Sequence, residues 1–207
     1  MNRTAARRIM ITTFAATSLV GLVACGNDKD SATATTTATT PASASVQVRP
    51  VVPANAAQFT VTTTDATDAF PADFYAGSFG CTAANRAPRL AWSGAPAAAK
   101  SFAVTMFDPD APTGAGFWHW MNWDIPSTAK DFTAGAAGVA GANDAGVSGY
   151  LGPCPPAGDK PHHYRISVLA LDTPSLDLPA TTTPTVASFS MGAHIVGVAK
   201  LELTAQR

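Results

Sequence analysis

The chain has 207 residues, enough for one domain with flanking segments, and only 13% of them are charged, for a net charge of −1. Sixteen Gly, sixteen Pro and a single glutamate, Glu202, argue against a helical bundle and for short strands joined by turns. No basic face is visible, which speaks against nucleic-acid binding on electrostatic grounds.

In chain order, residues 1–24 read as a secretory leader: Arg3, Arg7 and Arg8, then an uncharged apolar run from Ile9 to Ala24. The run is short for a membrane span. It ends in Leu22-Val23-Ala24-Cys25, which resembles the lipobox of bacterial lipoproteins. On that reading Cys25 is the lipidated (palmitate-bearing) N-terminus, and the protein is an exported lipoprotein anchored on the periplasmic or extracellular side. An ordinary leader and an uncleaved anchor are the alternatives, and Arg7-Arg8 also admits twin-arginine export. Gly26 to Ala57 is Ser/Thr/Ala-rich, holds Pro41, Pro50 and Pro53, and has no aromatic residue. Such a segment buries too little apolar surface to offset the entropy of ordering, so residues 25–57 are expected to be a disordered tether. As a coil it would span roughly 30 Å.

The globular domain is expected over residues 58–207. Phe59–Thr62 alternates like a strand, Asp68–Phe79 is aromatic and turn-rich, and Arg89–Trp92 is a short strand before Ser93-Gly94. Phe102–Phe107 predicts a strand, Asp108–Gly116 a polar turn, and Trp118–Ile125 a returning strand. Residues 131–149, rich in Gly and Ala, read as a long functional loop. Gly152-Pro153-Cys154-Pro155-Pro156 is a rigid turn. His162–Asp172 alternates as a strand, Val186–Met191 predicts a short helix between Pro184 and Gly192, and Ile195–Leu203 is a last strand.

With Cys25 lipidated, Cys81 and Cys154 remain as an even pair in an oxidising setting. A disulfide between them would close a loop of about 70 residues and contribute about 4 kcal/mol in the chain-entropy treatment. Two buried free thiols are the alternative, and the lack of a close cysteine pair speaks against zinc.

Asp108 and Asp110 end one strand, His119 begins the next, and His162, His163 and Tyr164 open a later one. If these strands are neighbours, the groups converge at one end of a sheet. An Asp beside a His holds its tautomer and raises its pKa, and imidazoles with a phenol and turn N–H groups suit an oxyanion such as phosphate. The bland reading is that each His is a satisfied polar residue at a strand end.

Asp108-Pro109-Asp110-Ala111-Pro112, Trp118-His119-Trp120, Gly152–Pro156 and His162-His163-Tyr164 together resemble the phosphatidylethanolamine-binding protein family, in its bacterial Raf-kinase-inhibitor-like branch. Gly80-Cys81, Leu90–Gly94, Asn143-Asp144-x-Gly146 and Ala170–Asp172 fit the same pattern, and the resemblance covers about residues 58–204. It implies a mostly β fold: a large antiparallel sheet packed on a smaller one, with few short helices. It also implies a small anion pocket lined by Asp108, Pro112, His119, Gly152, Cys154, Pro155, His162 and Tyr164, with N–H groups from the Gly152–Cys154 turn. Asp110 is expected to brace the loop through hydrogen bonds, and Trp118 and Trp120 to stand behind the lining residues. His163 replaces the family's usual Arg and, as a strand neighbour of Tyr164, is expected to face away. Thr82-Ala83 replaces the usual Asp-Gly after Cys81. The chain also stops at Arg207, where eukaryotic members continue into a helix beside the pocket, so a more open pocket is expected.

The implied function is non-enzymatic: a membrane-tethered module that binds phosphate, phosphoethanolamine, a phospholipid headgroup or a phosphorylated partner, with no cofactor, and that regulates a kinase or protease. A metal- or His/Asp-dependent hydrolase built on Asp108, His119 and His162 is the main alternative, and a structural lipoprotein with a vestigial pocket is another. Ser127–Lys130 spells S-x-x-K without the partner motifs of penicillin-recognising enzymes, and no G-x-S-x-G is present.

Overall fold

The computed structural model describes residues 50–207. The leader, Cys25 and most of the proposed tether lie outside the described residues. Among the described residues nine strands form two sheets, with one α-helix and one turn of 3₁₀ helix at Ala72–Phe74. The strands are β1 (Ala57–Gln58), β2 (Thr60–Thr62), β3 (Leu90–Ser93), β4 (Ser101–Asp108), β5 (Phe117–Pro126), β6 (Asp131–Phe132), β7 (Val139–Ala140), β8 (His162–Leu171) and β9 (Ile195–Ala205).

The large sheet runs β1-β9-β8-β4-β5-β7 and is antiparallel except at its β1 edge, which pairs in parallel with β9. The small sheet is β2-β3-β6. β4 lies near the middle of the large sheet and is buried on both faces, which is why Phe102–Phe107 is apolar at every position but Thr105 rather than alternating. One face of the large sheet (Val104, Met106, Ile166, Val168) packs on Val61, Leu90, Trp92 and Phe132 of the small sheet. The other face (Ala103, Met121, Trp123, Leu169) packs on Ala187 and Met191 of the helix α1 (Pro184–Gly192). Complete burial of Leu90, Met106 and Ile166 contributes about 1.5–3 kcal/mol per side chain.

The strand expectations correspond to β2, β3, β4, β5, β8 and β9, and the helix begins at the proline as read. Two differences matter. Residues 131–149 hold the two-residue strands β6 and β7, too short to show a period. Val52 and Ala56 pack against the α1-side core and Ala57 pairs with Gly197, so the packed region starts before residue 58. Alanine and valine in an Ala-rich stretch carry no periodic signal; the partner face supplies their burial.

β5 departs from strict alternation at a bulge. Met106 pairs with Trp120 and Phe107 with Trp118, which leaves His119 as the extra residue on β5. His119 and Trp120 therefore both serve the face that packs on the small sheet, while Trp118 turns to the other. Such bulges re-aim side chains beside functional sites.

Candidate functional site

The pocket sits where β4 ends, β5 begins and β8 begins. β4 pairs with both β5 and β8, so the three strand ends carrying Asp108, His119 and His162 are neighbours. The cavity measures about 170 Å³, well above the roughly 10–15 Å³ that one water needs by the same measure.

Asp108 builds the turn that follows it. Its Oδ1 accepts the N–H groups of Asp110 (2.8 Å) and Ala111 (3.1 Å), an Asx turn that Pro109 and Pro112 stiffen. Its Oδ2 accepts from Nδ1 of His162 at 2.8 Å, and both side chains are almost wholly buried.

His162 has a second partner, Asp159 Oδ2, 3.3 Å from Nε2. Carboxylates only accept, so both contacts can be hydrogen bonds at once only when the ring is protonated, the imidazolium form that this arrangement favours. Burial alone pushes this imidazole down. The hydrogen bonds to Asp108 and then Asp159 outweigh it, and the pKa lies above the ordinary histidine value.

His119 is the opposite case. Its Nδ1–H donates to the Leu151 carbonyl (3.0 Å), and the Leu151 N–H donates back to the His119 carbonyl (2.8 Å). Burial dominates and holds its pKa below the ordinary value, so the ring is neutral and Nε2 is an acceptor. The Tyr164 ring stands edge-on to His119, centroids 5.1 Å apart, and is fully buried. Burial first, then the Asp108 charge, raises the phenol pKa well above its usual range, so Tyr164 keeps its proton.

All eight residues expected to line the pocket do so. Asp110 braces the loop as expected: it accepts from Lys160 Nζ (2.6 Å), the His163 N–H (3.0 Å) and His163 Nδ1 (2.9 Å). The Lys160 ammonium first, and His163 next, hold its carboxyl far below the usual range. His163 faces away from the pocket and ties β8 to that turn.

Two expectations need correction, for Trp118 and for the Gly152–Cys154 turn. Trp118 does not back the pocket: it stacks on Phe107, centroids 4.7 Å apart, beside the α1-side core, because the bulge turns it away. Trp120 is fully buried in the core between the sheets, in one cluster with the lining residue Tyr164 and edge-on to Tyr150. The Gly152–Cys154 turn also offers fewer donors than expected. The Gly152 N–H donates to Asn85 Oδ1 (2.7 Å), and prolines have no N–H, so Cys154 alone can supply one.

Residues that sequence reasoning missed are the walls and supports. Phe79, Phe117 and Leu151 line the cavity. Phe117 lies two residues before His119, a spacing that could have pointed to it. Asn85, at φ +55°, holds the Gly152 turn from 67 residues away, and nothing local marks it. Asp159 was also missed, although Asp159-Lys160-Pro161 immediately precedes His162.

Cys81 and Cys154 form a disulfide, Cα atoms 6.0 Å apart, that ties the Phe79–Cys81 loop to the pocket wall. Thr113, a hydroxyl on the wall, donates to the Gly116 carbonyl (2.6 Å) rather than to an imidazole. Among the described residues no group of three or more His, Cys, Asp or Glu is arranged to hold a metal ion. No helix among them is long and apolar enough to cross a membrane.

Residues 63–206 match the family profile described as phosphatidylethanolamine-binding protein. The chain is similar to the YbcL protein of Escherichia coli, 42% identical over 133 residues, which are 59% of this chain and 73% of that protein. It is 40% identical over 127 residues to a Mycobacterium tuberculosis protein named as lipoprotein LppC, covering 59% of this chain and 61% of that one. Among solved structures, that of E. coli YbcL, described as a member of the mammalian phosphatidylethanolamine-binding family, superposes with a TM-score of 0.70 at 35% identity, covering 73% of this chain and 99% of that one. A Chlamydia trachomatis homolog superposes with a TM-score of 0.61 at 29% identity, covering 74% and 99%.

Proposed function

Because the chain belongs to the phosphatidylethanolamine-binding protein family, we propose that its pocket binds a small oxyanion, a phosphate or phosphate-bearing headgroup, without transforming it. One observation carries this reading: a buried imidazolium, His162, already holds a carboxylate oxygen at Nε2, the chemistry that a ligand oxyanion would reproduce. The neutral His119 complements it. A hydrogen phosphate carries both an anionic oxygen for His162 and an O–H that Nε2 of His119 can accept. The apolar walls, Phe79, Phe117 and Leu151, leave room for an attached organic group.

The non-enzymatic reading is favoured by the saturation of the polar groups. Asp108 is engaged at both oxygens, His162 at both nitrogens, and Thr113, the one Ser or Thr among the described lining residues, points at a carbonyl rather than at a base, while the Tyr164 phenol beside Asp108 is held protonated. The leader and Cys25 extend the proposal to an exported protein tethered by an N-terminal lipid, a reading that the name of the mycobacterial relative supports.

Inorganic phosphate is expected to raise the melting temperature of the purified protein, and His119→Ala and His162→Ala are each expected to abolish that protection. Equal protection of parent and both variants overturns the assignment.

A further inference from the structure

Both ring nitrogens of His162 are taken by carboxylates of the chain itself, and the two carboxylates differ. Asp108 has a side chain only 3% exposed, reaches Nδ1 at 2.8 Å and is anchored by two backbone N–H groups. Asp159 has a side chain 40% exposed and reaches Nε2 at the longer distance of 3.3 Å. Its other oxygen accepts the N–H of the adjacent Lys160 at 2.8 Å.

The backbone of this turn is pinned at several points, whereas the half-exposed carboxylate has, besides His162, only the Lys160 N–H as a hydrogen-bond partner. Gln206 Nε2 donates to the Asp159 carbonyl (3.0 Å), and the Gly158 N–H donates to the Arg207 carbonyl (2.9 Å). Arg207 in turn reaches the carbonyls of Pro155 (3.1 Å) and Gly80 (2.7 Å), on the walls joined by the disulfide. Asp159 can therefore leave Nε2 by rotating its own side chain, with no loop movement.

We propose that Asp159 is a built-in counter-ion that holds Nε2 of His162 until a ligand oxyanion displaces it, and that it thereby sets the affinity of the site. This rests on the oxyanion reading of the pocket. The charged and titratable groups around the ring support it. Asp108 lies at Nδ1, Tyr164 is protonated, and His119 beyond it is neutral. Lys160 and His163 are hydrogen-bonded to Asp110, and the Lys160 ammonium acts on Asp159 only through space, with less effect than the His162 hydrogen bond. A hydrogen bond from His162, first among its causes, holds Asp159 below the usual carboxylate range, so it remains a charged competitor at neutral pH. An incoming oxyanion thus meets one imidazolium flanked by two negative charges, and removing Asp159 removes both a competitor and a repulsion.

The test compares the purified full chain with Asp159→Asn and Asp159→Glu by titration calorimetry with inorganic phosphate and by NMR titration of the His162 ring. Asp159→Asn is expected to bind phosphate about two- to fivefold tighter, the range a partly exposed ion pair commands. Asp159→Glu, which keeps the charge, is expected not to tighten it. The His162 ring is expected to titrate at lower pH in Asp159→Asn. Parent-like or weaker phosphate binding in a folded Asp159→Asn protein overturns the proposal. Phosphate binding by neither parent nor variants overturns the oxyanion reading itself. An unmoved His162 titration in Asp159→Asn removes the contact on which the proposal stands.

Discussion

The imidazole of His162 and the carboxylate of Asp108, 54 residues apart in sequence, meet at 2.8 Å in the interior, with side chains 1% and 3% exposed. Removing one member leaves the other without its counter-charge in a site that water reaches poorly. His162→Ala is expected to cost about 3 kcal/mol, the low end for breaking a buried pair, because Asp108 keeps two backbone N–H donors. Urea unfolding of parent and variant measures it; a loss well under 1 kcal/mol would mean that the pair is solvated.

The two pocket histidines should titrate on opposite sides of the ordinary imidazole. The His162 pKa is raised in the fold, so its contribution to stability is complete below the unfolded value of 6.5 and is lost as pH rises through the higher folded value. The His119 pKa is lowered, so the fold prefers its neutral form and loses stability as pH falls from 6.5 through the lower folded value. Ring-proton NMR, with His119→Gln and His162→Gln for assignment, is expected to place His162 above His119; the reverse order would contradict the hydrogen-bond pattern.

Asp110 adds an acid limb. Its carboxyl is depressed by Lys160 first and His163 second, so its contribution is present above the unfolded value of 3.8 and disappears as pH falls below that. Asp110→Asn is expected to flatten the stability profile in that acid range while leaving the profile near neutrality unchanged in shape. A variant with the parent's acid limb would assign that limb to other carboxylates.

The Cys81–Cys154 bond closes a separation of 73 residues and is expected to contribute about 4 kcal/mol. Thermal unfolding with and without dithiothreitol, and of a Cys81→Ser/Cys154→Ser double variant, checks this. A melting temperature unmoved by both treatments would show that the bond does not form.

Gly152 passes so close to its neighbours that an added Cβ would lie 2.1 Å from the Phe74 carbonyl oxygen and 2.7 Å from the Ala76 nitrogen. Both are backbone atoms and cannot swing aside. Gly152→Ala is expected to cost about 3 kcal/mol, the upper part of the range for overpacking, and to displace the Pro153–Pro156 wall. Denaturant unfolding of a folded variant measures the loss, and parent-like stability would show that the wall yields freely.

Much of the fold was legible because local chemistry dictates it. The mostly apolar run Phe102–Phe107 reads as a strand, which the structure buries on both faces, and Asp108-Pro109-Asp110 carries its own turn in the Asx hydrogen bonds of Asp108. The alternation of His162–Leu171 put His162 and Tyr164 on one face and His163 on the other, as the structure has them. β6 and β7 were illegible because two residues carry no period.

The residues of the pocket, then, belong to the sequence: Asp108, His119, His162, Tyr164 and the Gly152–Pro156 turn sit in short motifs that can be read without their partners. Their electrical character belongs to the tertiary structure. The β5 bulge brings His119 to the Tyr164 side and sends Trp118 to the other face, Asn85 takes the N–H of Gly152, and Asp159 claims the outer nitrogen of His162. Each of these depends on which backbone or carboxylate stands within about 3 Å of a given atom. Chain pairing at long range sets that distance, and it decides which histidine has its pKa raised and which has it lowered.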